Sequence, residues 1–421
     1  MLHGYVHPSF SLVAETLTKQ LPAGPGGSAL CVYHQGQKVI DVWGGTKDRD
    51  NNPWEADTLA LSYSTTKGVM STLLHILVDE GLADYDDPIA KYWPEFAQKG
   101  KERITIRQAM CHEAGVYHIA DMVEDATQMF DWDDMKARLA ASAPVHTPGT
   151  AHGYHGITYG WLAGGIAEAI TGRPFQELLK EKLIDPLELD GLFIGLPEEE
   201  FHRCSKLVTR NGKTATPKMP GNFVAKQLLM LVYNFFRIVG MDFNQTRLGL
   251  LPPSVKPIDW NGEELVKSAI PGANGMFTAR SLARVYGAIA NGGELDGKRI
   301  LSSERVQIMT QVQNRTRDRV LFLPMHWRLG YHRVFSAGGK TSPEAFGHFG
   351  FGGSGAWCDP TYNLSVALTL NSGVGTPMGD ARIAFINSSV LKCAKRLAKS
   401  SVAIEVPGNQ VDNVIPLEKS A

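Results

Sequence analysis

The chain has 421 residues, of which 43% are hydrophobic and 20% charged, so it has the composition of a folded globular protein rather than a disordered or membrane-embedded one. Lys plus Arg number 42 and Asp plus Glu 43, for a net charge of -1, and no basic run stands out, which argues against nucleic acid or an anionic membrane as a partner. Five scattered cysteines without a Cys-x-x-Cys pair suit a reducing cytoplasm better than a disulfide framework.

The opening stretch MLHGYVHPSF lacks a basic segment followed by an apolar one, so no secretory signal is expected. Residues 8–20 read as a helix started by Pro8. SALCVYHQGQKVIDVWGG, residues 28–45, reads as a hairpin about Gln35-Gly36-Gln37. At ALSYSTTKGVM, residues 60–70, the pattern turns helical, with Val69, Met70, Leu73, Leu74 and Leu77 at helical spacing. Further helices are expected around residues 102–112, 157–172 and 175–183. FVAKQLLMLVYNFFRIVGM, residues 223–241, is apolar, but Lys226, Asn234 and Arg237 interrupt it. A span needs roughly 20 predominantly apolar residues, so this segment reads as a buried or cap helix without stable membrane insertion.

Strand character returns at residues 326–335, 346–360 and 364–373, and residues 381–399 close the chain as an amphipathic helix. Strands at both ends with helices between them predict an α+β protein. Residues 1–66 and 296–421 would form one mixed lobe, and 67–295 a mostly helical one with a possible cap at 220–245.

Three pieces of this chain carry chemistry. Ser64 and Lys67 lie one helical turn apart, which puts a lysine beside a serine hydroxyl that needs a base to become nucleophilic. Tyr154 sits in the Gly-rich loop PGTAHGYHG before a helix, where it can reach a cleft and shuttle a proton. A lysine ammonium beside it would favour its phenolate. In GHFGFGGSG, residues 347–355, His348 and the glycines fit an edge that a substrate can approach, and the amides of Phe351 and Ser64 would make an oxyanion hole. Lys340-Thr341 competes for that role, but Pro343 follows and lacks an N–H. Gly350–Gly355 also matches Gly-x-Gly-x-x-Gly, but no helix is expected after it, so no dinucleotide site is read there. Ala356 breaks the nearest Gly-x-Ser-x-Gly, and His112, His118, His152 and His155 are not spaced for metal. No cofactor is expected.

Together these residues resemble the penicillin-recognising serine enzymes, the group of class C β-lactamases, DD-peptidases and family VIII carboxylesterases. Ser64-Thr65-Thr66-Lys67 is the Ser-x-x-Lys element. Tyr154-His155-Gly156 looks like the family's Tyr-x-Asn segment, and His348-Phe349-Gly350 stands where members carry Lys-Thr-Gly or His-x-Gly. ITIRQAMCHEAG and GANGMFTARSLARV are supporting matches, and the likeness runs from roughly residue 10 to 395. The resemblance implies Ser64, Lys67 and Tyr154 as catalytic residues, and His348, Gly350, His155 and Gly156 as substrate-binding. It leaves open whether Lys67 or Tyr154 is the principal base. Gly156 replaces an asparagine and His348 a lysine whose fixed charge would anchor a β-lactam carboxylate. Both departures point to hydrolysis of small-molecule acyl esters. An acyltransferase, a D-amino-acid amidase or peptidase, a weak β-lactamase, and a non-catalytic assembly or sensing protein are the alternatives.

Overall fold

The computed structural model describes residues 1–208, 241–253, 258–339, 342–373 and 380–400. Its centre is a seven-stranded antiparallel sheet built from both ends of the chain. The strands are β1 (Leu2–Val6), β2 (Gly27–His34), β3 (Gln37–Gly45), β4 (His332–Arg333), β5 (Phe346–Phe349), β6 (Gly355–Asp359) and β7 (Leu364–Leu370), in the order β1-β3-β2-β7-β6-β5-β4. The expected hairpin is β2–β3, and Gln35 and Gly36 take φ of 53° and 74° at its tip, the left-handed geometry that matches strand twist.

β2 and β7 are buried along their whole length, because both faces of the sheet are covered. Side chains alternate between faces, so Ala29, Cys31 and Tyr33 enter one core while Leu30 and Val32 enter the other. The second core is roofed by α1 (Ser11–Gln20) and the closing helix Ala381–Ser400, whose Ile383, Ile386, Val390 and Leu397 face inward. Pro8 opens a 3₁₀ turn, Pro8–Phe10, one step ahead of α1, and the edge strand β1 precedes it. Trp357 on β6 donates its indole N–H to Asn387 Oδ1 at 2.7 Å, tying the sheet to that roof. Ile386→Ala, at a fully buried position, is expected to cost about 2–5 kcal/mol by urea unfolding. A loss under about 1 kcal/mol would remove the closing helix from the core.

The opposite face packs against helix Ala279–Ala290, and beyond it lie α2 (Thr65–Asp79) and α3 (Tyr159–Thr171). α3 stops at Gly172, whose φ of 70° suits only glycine at low cost. The helix expected over 102–112 is a short one, Ile106–Met110, closed by a capping box of Thr105 and Gln108. The apolar run at 223–241 lies outside the described residues up to 240, and no described helix is long and apolar enough to cross a membrane.

Candidate functional site

Ser64 follows a two-residue strand, Ala60–Leu61, and is the N-cap residue of α2. Tyr63, just before it, holds a φ of 46°, a backbone strain of order 1–3 kcal/mol for a non-glycine residue. The loop is pinned on both sides. Ser62 N–H donates to Gly275 O at 2.9 Å, and Thr66 Oγ1 donates to Tyr63 O at 2.6 Å. Ser64 itself makes no side-chain cap, so its hydroxyl is free for another partner.

That partner is Lys67. Its Nζ lies 2.8 Å from Ser64 Oγ and 2.6 Å from the carbonyl of Gly272. The side chain is completely buried, and burial pushes Lys67 well below the usual lysine range. A lysine shifted in this direction is more readily found with a free lone pair and can take the serine proton.

Tyr154 comes next. Lys67 Nζ stands 5.0 Å from its ring centroid, and the ring lies parallel on Trp327 at 5.6 Å. The hydroxyl is close enough to Ser64 for that residue to lower its pKa, yet not aligned for a hydrogen bond. Burial dominates and raises the phenol, and Asp318 adds to the rise. The expected phenolate is therefore not favoured: burial outweighs the neighbouring lysine, and the phenol keeps its proton.

β5 delivers His348 to the same place. Its ring is 6.1 Å from that of Tyr154 and 4.7 Å from that of His332. Nδ1 faces Phe349 O at 3.3 Å, and Nε2 has no hydrogen-bond partner among the described residues. Burial, then His332 and Lys67, hold His348 well below the usual histidine range. The ring is thereby held in its neutral form, so a substrate carboxylate finds no cation on it.

The turn after β5 wraps the nucleophile loop. Thr65 Oγ1 donates to Ser354 O at 3.1 Å, and Gly350 N–H donates to the same carbonyl at 2.8 Å. A Cβ on Gly350 would strike the carbonyl of Ser62, so glycine there serves close packing of chain on chain. Phe351 between them is half-exposed, edge-on to Tyr63 at 6.0 Å, while Trp260 lies 5.1 Å from the same tyrosine. The amides of Ser64 and Phe351 donate to no acceptor among the described residues.

One predicted substrate-binding residue has its ring engaged within the protein, and a second is closely packed. His155 is fully buried, with Nδ1 on Gly153 O at 2.9 Å and Nε2 accepting from Val116 N–H at 3.2 Å, which leaves no polar atom for a substrate. A Cβ on Gly156 would meet the Leu250 side chain of helix Phe243–Leu250, so a larger residue there requires that side chain to move. Sequence reading also missed Asp318, Trp327 and His332. Gly272 opens the quoted GANGMF stretch, which was the only signal for it, and Asp318 sits in a charged run with none. Lys340-Thr341 lies outside the described residues.

An antiparallel sheet flanked by helices, with a buried Ser-x-x-Lys turn at its edge, defines the β-lactamase and penicillin-binding-protein class of folds. The profile of the Beta-lactamase family matches residues 14–390, and the chain belongs to that family as a serine hydrolase. It is 37% identical over 372 residues to the Mycobacterium tuberculosis (strain ATCC 25618 / H37Rv) protein named Esterase/beta-lactamase LipL, covering 87% of this chain and 82% of that one. Among solved structures it is similar to a family VIII carboxylesterase, with TM-score 0.78 and 31% identity over 94% of this chain and 99% of that one. A penicillin-binding protein homologue from Caulobacter crescentus gives TM-score 0.77 and 34% identity, over 93% and 100% of the two chains.

Proposed function

We propose that the protein hydrolyses small carboxylic esters through an acyl-enzyme on Ser64. One observation carries the reading: a buried lysine, depressed towards its neutral form, hydrogen-bonded to a serine at the start of a helix. Lys67 takes the Ser64 proton as the hydroxyl oxygen attacks the ester carbonyl. The Ser64 and Phe351 amides receive the oxyanion. The carbon–oxygen bond to the alcohol breaks, Tyr154 gives its proton to the leaving oxygen, and the Lys67 ammonium restores it. Water then attacks the acyl group with the same proton path reversed, freeing the acid and Ser64. The assignment of Lys67 as base and Tyr154 as acid follows from the opposite directions in which burial moves them.

The ester reading is supported by the relatives' names and by a neutral His348 where a fixed cation would anchor a β-lactam carboxylate. The aromatic mouth of Tyr63, Trp260 and Phe351 suits apolar acyl or alcohol groups. A minor β-lactamase activity is the second reading, favoured by the name of the 37%-identical relative. A cytoplasmic setting is supported by the five cysteines, all free and four of them buried. Recovery of the native protein from outside the cytosol would sink that placement.

The test is mass spectrometry of the intact protein after a fluorophosphonate, with the label expected on Ser64, and a burst followed by turnover with a p-nitrophenyl ester. A label on another residue, or turnover without a burst at any pH, would count against the reading. Tyr154→Phe is expected to slow a methyl ester more than tenfold, a barrier of about 1.4 kcal/mol. A p-nitrophenyl ester, whose leaving group needs no proton, should suffer less. Equal losses on both esters would remove Tyr154 from proton donation.

A further inference from the structure

Outside the residues of the proposed mechanism, the most heavily bonded polar group near it is Asp318. Its carboxylate is fully buried, and four neutral N–H groups converge on it. Oδ1 accepts from the backbone N–H of Tyr154 at 3.2 Å, of Val320 at 2.8 Å and of Leu321 at 2.9 Å. Oδ2 accepts from the indole N–H of Trp327 at 3.0 Å. Two of these donors belong to its own turn. The other two belong to Tyr154 and to the ring against which Tyr154 is stacked at an interplanar angle of 14°.

We infer that Asp318 is the positioning residue of the Tyr154 phenol, one carboxylate that sets both the loop carrying the ring and the indole surface on which it rests. This rests on the reading of Tyr154 as the proton donor. A charge-assisted hydrogen bond to a backbone N–H is about twice as strong as a neutral one. With Tyr154 N–H held by one oxygen and Trp327 by the other, the backbone that carries the ring and the indole on which it stacks cannot shift relative to each other without breaking a buried bond. Such a loss costs about 1–3 kcal/mol. No motif announces Asp318, because its partners lie 9 and 164 positions away in the chain.

The carboxylate also acts at a distance. Around the phenol stand Ser64 and Lys67 from α2, His112, Tyr159 from α3, Trp327, and His348 from β5. Burial drives His112, His348 and Lys67 towards their neutral forms. Asp318 is raised by burial, against the pull of its four donors, and where it is ionised it helps the phenol keep its proton.

The test uses the full-length enzyme and a methyl ester followed in a pH-stat. Asp318→Asn places an amide N–H against at least one of the donors. We expect kcat to fall at least tenfold with KM within about threefold, and the alkaline limb of the pH profile to move to lower pH as the negative charge is lost. Asp318→Asn combined with Trp327→Phe removes the indole donor and should recover part of kcat, at least threefold, while keeping the displaced limb. Should the single variant not fold, the double variant carries the pH readout by itself. An unmoved limb in the folded variants, or kcat within twofold of wild type, would overturn the inference. The proposed function fails separately: if Tyr154→Phe leaves methyl-ester turnover unchanged, that reading falls, whereas a collapse in Tyr154→Phe beside an unaffected Asp318→Asn sinks this inference alone.

Discussion

Ser64→Ala is expected to lower kcat for a short p-nitrophenyl ester by about 10⁴-fold or more, a loss of roughly 5 kcal/mol of transition-state stabilisation. The hydroxyl is held by a buried lysine, and the acyl bond would form on it. The fold should survive, because Ser64 does not cap α2 with its side chain and is not fully buried. A change in unfolding free energy within about 1 kcal/mol is expected, measured by urea titration. Residual turnover above about 1% of wild type in a folded variant would show that another nucleophile does the work.

Lys67→Met should reduce kcat by about 10²–10⁴-fold, the range that a well-placed general base supplies. Two pH effects accompany it, and their signs are set by the same burial. In wild type, kcat/KM should hold near neutral pH and fall on acidification, as the proton returns to Lys67 and blocks acceptance from Ser64; a side chain of ordinary pKa would silence the enzyme at pH 7. Stability moves the opposite way from that of a surface lysine. Lys67 is depressed in the folded state, so the unfolded chain binds more protons between the folded value and 10.5, and wild-type stability climbs with pH through that window. Lys67→Met lacks this term. Whatever offset follows from the lost bond to Gly272 O, the stability of the variant relative to wild type should be greatest at low pH. It should shrink as pH approaches 10.5, by about 1.4 kcal/mol per unit of pH within the window. Parallel stability–pH curves for the two proteins would mean that Lys67 is not depressed and would take the base assignment with it.

The cost of such a site is visible across the cleft. Tyr154 Oη and His348 Nε2 are buried polar atoms without a good hydrogen bond, and Tyr63 holds a left-handed backbone beside the nucleophile. Strain and unmet polar groups gather where substrate is expected to complete them. The contrast with His155 is instructive. It neighbours Tyr154 in sequence, yet both of its nitrogens are satisfied internally, so it reads as part of the wall rather than of the chemistry.

Much of this architecture was readable residue by residue. The hairpin at Gln35-Gly36, the helix opening at Ser64 and the amphipathic closing helix follow from period and turn chemistry, which are local properties. Ser64 and Lys67 were legible for the same reason, since one helical turn brings them together wherever the helix ends up. What no local pattern encodes is which distant groups surround them. Gly272 O reaches Lys67 across 205 positions, and Asp318 reaches Tyr154 across 164. Only the packed chain determines how dry those meeting points are, and dryness is what lifts the phenol, lowers the lysine and silences the charge on His348. Residue identities and spacing thus named the candidate reacting groups, whereas the directions of their pKa shifts, and the engagement of both His155 nitrogens within the protein, were decided by burial and by contacts that exist only in three dimensions.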